Sequence, residues 1–475
     1  MLVISLMLSA AGAFAEAPQG TPPGEPPEGF NGGTPPGDPP EGFSGGTPPG
    51  EPPEGFGGGG FGGGTPPGGG TSSFEYAAAT EITEATETDG QAYSSDTTDE
   101  SALMINTADT VSLTDITVTK TGDSNGGDNC NFYGLNAAVL VMGGSTTAIT
   151  GGTIESSASG ANGVFCYGGN GGRNGADGDG TTLYISGTTI TTTGDGSGGI
   201  MTTGGGVTYA ENLTVTTSGR SSAAIRTDRG GGTVTVNGGT YTSNGLGSPA
   251  IYSTADITVR DAELVSNLSE GVCIEGMNSI TLENCNLTAN NTQRNGHATF
   301  LDTIMIYQSM SGDADSGTSA FTMTGGSLTS LSGHMFHVTN THAVITLSGV
   351  TLNNEGSDIL LSVCDDGWNG ASNIAELNAD AQTLTGTILV GENSTLKLSL
   401  TNGSAFEGTV SGEITNAEGT QVSTETGSVS VSLDETSTWT LTADTYITEF
   451  SGNAGNVIGN GYTLYVGGAA LEGIS

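Results

Sequence analysis

Basic residues are nearly missing from this chain of 475 residues: 8 Lys+Arg stand against 50 Asp+Glu, a formal net charge of −42. That excludes a nucleic-acid binder, which needs cationic surface to neutralise phosphates, and it removes attraction to an anionic bilayer. Charged residues of both signs reach only 12%, about half the usual quarter. Cysteine is scarce, odd in number and scattered (Cys130, Cys166, Cys273, Cys285, Cys364), without a CxxC, so no disulfide scaffold is expected and the thiols read as small buried apolar groups. The histidines, His297, His334, His337 and His342, do not make a zinc set with them. Fifteen of the 16 prolines fall between Pro18 and Pro67. Hydrophobics at 34% are too few for a helical or α/β enzyme core of this length and sufficient for a thin, repetitive one.

Met1 to Gly12 is an apolar run, followed by Ala13-Phe14-Ala15 and Glu16. Small residues three and one before the break suit signal-peptidase cleavage, so residues 1–15 read as an export signal. Its basic opening is expected upstream of Met1, since the first basic residue is Lys120. No segment of the expected mature chain is long and apolar enough to span a bilayer.

Residues 16–72 carry a 13-residue repeat: TPPGEPPEGFNGG from Thr21, TPPGDPPEGFSGG from Thr34 and TPPGEPPEGFGG from Thr47. Proline pairs favour extended polyproline II and the glycines hinge it, which predicts a disordered, low-complexity linker.

From about Phe74 the texture changes to Thr, Ser, Gly, Val and Ile. A small residue followed by Val or Ile recurs at Ala138-Val139, Gly163-Val164, Gly199-Ile200, Ala224-Ile225, Ala250-Ile251 and Gly271-Val272, in steps of 25, 36, 25, 26 and 21 residues. The long step is an ordinary one plus a Gly-rich insertion from Gly168. A second strand follows in each unit, as at Val234-Thr-Val236 and Ile257-Thr-Val259. A third follows Gly, Asn or Ala, as at Thr189-Ile190 and Thr240-Tyr241. Three short alternating strands per turn describe the coil of a parallel β-helix, an all-β solenoid, over residues 73–370. An outward ladder Thr208–Thr235–Thr258–Thr281–Thr322 is expected on the second strand. Residues 371–475 keep a looser beat and read as further coils and a C-terminal cap, which hides unpaired edge groups.

The segments GSGGIMTTGGG (from Gly196), SGRSSAAIRTDRGGGTVTVNGGTYTSNG (from Ser218), GSPAIYSTADI (from Gly247) and IMIYQSMSGDADSGTS (from Ile304) resemble a family of secreted, adhesin-like right-handed β-helix proteins of anaerobic bacteria. STWTLTADTYIT (from Ser437) resembles the closing coils of autotransporter passenger domains. The resemblance spans residues 110 to 470 and implies a right-handed β-helix at the cell surface. It implies no catalytic residues.

The first strands carry an unusual outward row: Leu140, Phe165, Met201, Arg226, Tyr252, Cys273. Two positions on stand Met142, Tyr167, Thr203, Asp228, Thr254 and Glu275. In a chain with 8 basic residues, Arg226 and Arg229 beside Asp228 stand out. One reading is a structural ion-pair network. A second is a strip binding extracellular glycans or cell-surface polymers, with Phe165, Tyr167, Met201 and Tyr252 as apolar platforms and Arg226, Asp228 and Arg229 as polar anchors. A third is polysaccharide cleavage by Asp228 and Glu275, two coils or about 9.6 Å apart, the upper edge for an inverting carboxylate pair. No cofactor is required; Ca²⁺ is a candidate, because Asp177 with Asp179, and Asp313 with Asp315, place hard oxygens in Gly-rich turns, as do Asp123 with Asp128 and Asp365-Asp366. The combined expectation is an exported, adhesin-like, non-enzymatic surface protein, with a polysaccharide hydrolase or lyase as the alternative.

Overall fold

The computed structural model describes residues 75–475 apart from 125–126, 172–176, 310 and 369–371. The apolar N-terminal run, the Pro/Gly repeats and Arg173 lie outside the described residues. The described chain coils as a parallel β-helix. One sheet of 15 strands takes the first strand of every turn, from Ala77–Ile82 to Val457–Ile458. A sheet of 22 strands takes the second and third strands together, because in turns such as Gly206–Thr217 and Gly232–Ser243 the two run on without a break.

The stacking follows the sequence beat. Val139, Val164, Ile200, Ile225, Ile251, Val272, Ile304 and Phe336 pair rung on rung in the first-strand sheet. On the third strand the column runs Ile154, Ile190, Val215, Tyr241, Leu264, Leu287 and Leu328. Both columns point inward and meet in one continuous apolar core. Each turn hydrogen-bonds only to its neighbours, so few apolar residues suffice per turn. All five cysteines are free and buried.

The corner between second and third strands explains the Gly, Asn and Asp spacing. Asp115, Gly151, Gly187, Asp261, Asn284 and Gly325 occupy this corner with φ between 48° and 67°. Their backbone N–H groups each donate to the next turn at 2.8 or 2.9 Å, as from Gly151 to the Ser186 carbonyl and from Gly187 to the Glu211 carbonyl. Left-handed backbone is open mainly to Gly, Asn and Asp, so the chain uses those three.

One expected ladder shifts by a residue. Thr208 pairs with Val234 and points into the core, where its hydroxyl lies 2.7 Å from that of Thr202. Tyr209, not Thr208, heads the outward row Thr235, Thr258, Thr281 and Thr322, and its ring stacks on Tyr184 at 5.1 Å. Threonine is β-branched and fits a strand on either face, so its type does not fix which way it points.

After residue 370 the rungs continue in parallel through Asn373–Asp380, Thr383–Val390 and Ala405–Ser411. Buried Trp439 stacks on Phe406 in the last turns, and Leu464–Val466 with Ala469–Ala470 forms an antiparallel pair near residue 475. Among the described residues no helix is long and apolar enough to cross a membrane.

Candidate functional site

The outward row of the first-strand sheet is in register as Met104, Leu140, Phe165, Met201, Arg226, Tyr252, Cys273, Met305 and His337. Most of it is covered. Leu140, Phe165, Tyr167 and Met201 are buried in an apolar cluster that Tyr133 and Tyr76 close from outside. The cover is the short helix Asn129–Tyr133, whose end turns at Gly134 with φ 77°. A Cβ there would meet the Leu140 and Phe165 side chains. Tyr133 packs edge-on against Tyr167, and the Phe132 carbonyl accepts from Thr203 Oγ1 at 2.8 Å. Phe165, Tyr167 and Met201 are therefore packing residues beneath this helix.

Beyond Met201 the cover parts. A recess of about 50 Å³ opens between Arg226, Pro249, Tyr252, Glu270, Cys273, Asn295, Met305, Tyr307 and Trp368. That volume matches a few water-sized positions at about 10–15 Å³ each. Its wall is mostly apolar and aromatic, with Arg226, Glu270 and Asn295 as its polar points. Trp368 packs on Tyr307 at 5.0 Å and edge-on to His297 at 5.4 Å. The Trp368 indole Nε1 is buried and has no hydrogen-bond acceptor among the described residues.

Two polar groups set the recess walls. Arg226 Nη2 donates to Asp228 Oδ2 at 2.6 Å, Nη1 donates to the Ser221 carbonyl at 3.2 Å, and the guanidinium lies 5.3 Å from the Tyr252 ring centroid. Burial pushes the Asp228 carboxyl up to about 6, against the opposing pull of Arg226 and with added repulsion from Asp313. Arg229 does not share that bond. It stacks on Phe132 at 4.0 Å and pairs with Asp313 at 2.5 Å, tying the short helix to the 308–317 segment.

Glu275 stands two rungs from Asp228, with Thr254 between. It is 2% exposed, and among the described residues no basic side chain pairs with it. Tyr252 and Tyr307 donate to its Oε2, and Ser309 and Ser311 donate to its Oε1. Burial raises its carboxyl pKa, and these donors oppose that rise. Tyr252 and Tyr307 are the aromatic walls of the recess, so Glu275 fixes both rings from behind.

The aspartates proposed for Ca²⁺ divide. Asp179 accepts from the N–H and hydroxyl of Thr181 at 2.9 and 2.6 Å, and Asp313 is held by Arg229. Asp177 and Asp315 line one Gly-rich cleft of about 470 Å³ with Asp256. Asp123 accepts from Ser159 N–H, Asp365 from Asn373 and Asp366 from Thr299. Among the described residues no three His, Cys, Asp or Glu side chains converge as a metal set.

Sequence reasoning reaches Arg226 and Tyr252 but not Trp368, Glu270, Asn295, Pro249 or Tyr307, which arrive on other turns and loops. One signal was available: an outward row of Leu, Phe and Met is apolar, and an apolar face needs a cover. No protein-family model, curated protein or solved structure matches this chain.

Proposed function

We propose that the protein is an exported, adhesin-like, non-enzymatic surface protein that binds glycans through the recess on its first-strand face. One observation carries this reading: Trp368 lines a partly apolar pocket beside Arg226 and Asn295, and its buried indole N–H has no partner among the described residues. Apolar walls with a few convergent polar groups suit a sugar, whose ring carbons pack on aromatics while its oxygens accept hydrogen bonds. The recess is too small for a whole hexose and suits one substituent of a terminal residue, such as an acetamido methyl, with the ring lying across the rim.

Cleavage is the weaker reading. Both Glu275 oxygens are occupied by hydroxyl donors, and Asp228 is engaged by Arg226 and the Arg229 N–H. A glycan array probed with the secreted chain, with and without Ca²⁺, tests the proposal. Selective retention of N-acetylated glycans without shortening supports it. Absence of binding in both conditions refutes it, and release of shorter sugars moves the protein to the enzyme class.

A further inference from the structure

The third strands stack rung on rung as far as Thr351–Asn354, which pairs with Ser327–Ser330 of the turn before. Their inward column is fully buried on every rung from Val118 to Leu328. Leu352, next in that column, is only half-buried. The following turn shows why. Its second strand, Asn373–Asp380, lies on His342–Ser348. Past the left-handed corner at Ala381 (φ 48°) the chain then runs straight into Thr383–Val390 of the first-strand sheet. One third strand is skipped, and Leu352 loses its cover.

Two strand edges are left facing a gap. Among the described residues Thr351–Asn354 pairs on one side only, with Ser327–Ser330, and Thr383–Gly386 pairs only with the following turn, at Ala405–Gly408. Between them lies a cleft of about 710 Å³ lined by residues of both segments, with Leu352, Leu360 and Met335 as its apolar points. The turns close again where Thr387 N–H donates to the Asp358 carbonyl at 2.7 Å.

The other end of the cleft shows which chemistry this edge accepts. Val350 N–H donates to Gln382 Oε1 at 2.8 Å, and Gln382 Nε2 donates to the Val350 carbonyl at 2.8 Å. A neighbouring parallel strand makes the same two bonds to an edge residue, one accepted and one donated. The Gln382 side-chain amide, 2% exposed, thus stands where the first peptide groups of the skipped strand would be. Strand alternation turns the backbone N–H and C=O of Leu352 toward the same edge as those of Val350. An open strand edge is a template for an added strand. The occupant needs an aliphatic side chain to cover Leu352 and polar ones on either side of it, facing outward with Thr351 and Asn353. Asp358 is the one charged residue of the lining, and Glu355 is exposed three residues before it, which favours basic residues in the occupant.

We propose that this cleft takes an extended peptide segment of a partner protein, paired along Thr351–Asn354, with an aliphatic side chain over Leu352 and basic residues at its ends. The cleft is separate from the recess and does not depend on the glycan reading.

The test follows the fluorescence anisotropy of dye-labelled acetyl-Lys-Thr-Val-Thr-Lys-amide as the full chain is added. Binding is expected with a Kd of about 1 mM or tighter. N-methylation of both threonines, whose amides would face Leu352, is expected to weaken it at least tenfold, and so is threonine in place of the valine. Leu352→Asn in a folded chain is expected to do the same. Hydrogen exchange should show residues 350–356 and 383–386 protected by the peptide. Absence of binding would overturn the proposal. Equal binding of the N-methylated peptide would overturn it too, since charge alone would then hold the ligand. Protection at other segments would contradict the location, and a chain that pairs with itself at these segments and excludes the peptide would replace the partner by a second copy.

Discussion

Tyr252 and Tyr307, two rungs apart on the outer row and its neighbour, donate their hydroxyl protons to one atom, Oε2 of Glu275. The two rings that wall the recess are thus positioned by a single buried carboxylate, whose other oxygen is taken by Ser309 and Ser311. Glu275→Gln keeps the volume but exchanges an acceptor for an N–H₂ group facing hydroxyl donors. It is expected to lower stability by about 2 kcal/mol, the scale of charge-assisted hydrogen bonds. Thermal denaturation checks this, with Trp368 fluorescence reporting looser packing against Tyr307. An unchanged Tm and spectrum would mean that Glu275 does not hold the rings.

Asp228 supplies a pH dependence with a defined sign. Its carboxyl is raised to about 6 by burial, outweighing Arg226, from about 3.9 in an unfolded chain. The folded state therefore binds this proton more tightly. Stability is expected to fall as pH rises from about 4 to about 6, by about 3 kcal/mol for this group, and to level off above. Asp228→Asn removes that increment whatever it does to absolute stability, because it leaves Arg226 charged at every pH used. Denaturant midpoints at pH 4.5 and 7.5 for both proteins measure it, and identical pH differences would contradict the assignment.

Phe165 and Trp368 separate packing from binding. Phe165 is fully buried under the Asn129–Tyr133 helix, so Phe165→Ala should cost about 3–5 kcal/mol in denaturant unfolding. Below its midpoint the variant should bind glycan as the wild type does. Loss of binding in a folded Phe165→Ala protein would place the ligand under the helix instead.

The corner column makes a backbone prediction. Gly187 has φ 62°, and a Cβ there would meet only the Gly151 nitrogen, at 4.0 Å. Space is not the obstacle, so the penalty is conformational. Gly187→Val should destabilise by about 1–2 kcal/mol, and Gly187→Asn should stay close to wild type. Equal losses for both would mean that side-chain bulk matters there after all.

The solenoid was readable because each turn must bury the same positions. Val139, Val164, Ile200 and Ile225 recur after a small residue, and Gly151, Gly187, Asp261 and Asn284 recur where the backbone goes left-handed. Thr208 reads as outward because β-branching suits both faces; in the structure exposed Tyr209 takes the outward place and Thr208 faces Thr202 inside. The recess was half legible. Arg226 and Tyr252 lie on regular rungs, whereas Trp368 and Asn295 come from loops whose landing places depend on contacts across many turns. The burial of Phe165, Tyr167 and Met201 likewise depends on a five-residue helix that no local repeat announces.

The most direct test of the recess is a calorimetric titration of the full chain with the array's strongest glycan, beside Trp368→Ala and Arg226→Ala. Trp368 lies in a loop outside the strands and packs on Tyr307 and His297, so Trp368→Ala should leave the β-helix folded, with a lower Tm, while binding falls at least tenfold. Arg226→Ala should weaken binding as well, with a loss of stability from uncoupling Asp228. Wild-type affinity in a folded Trp368→Ala protein would contradict recognition at this recess.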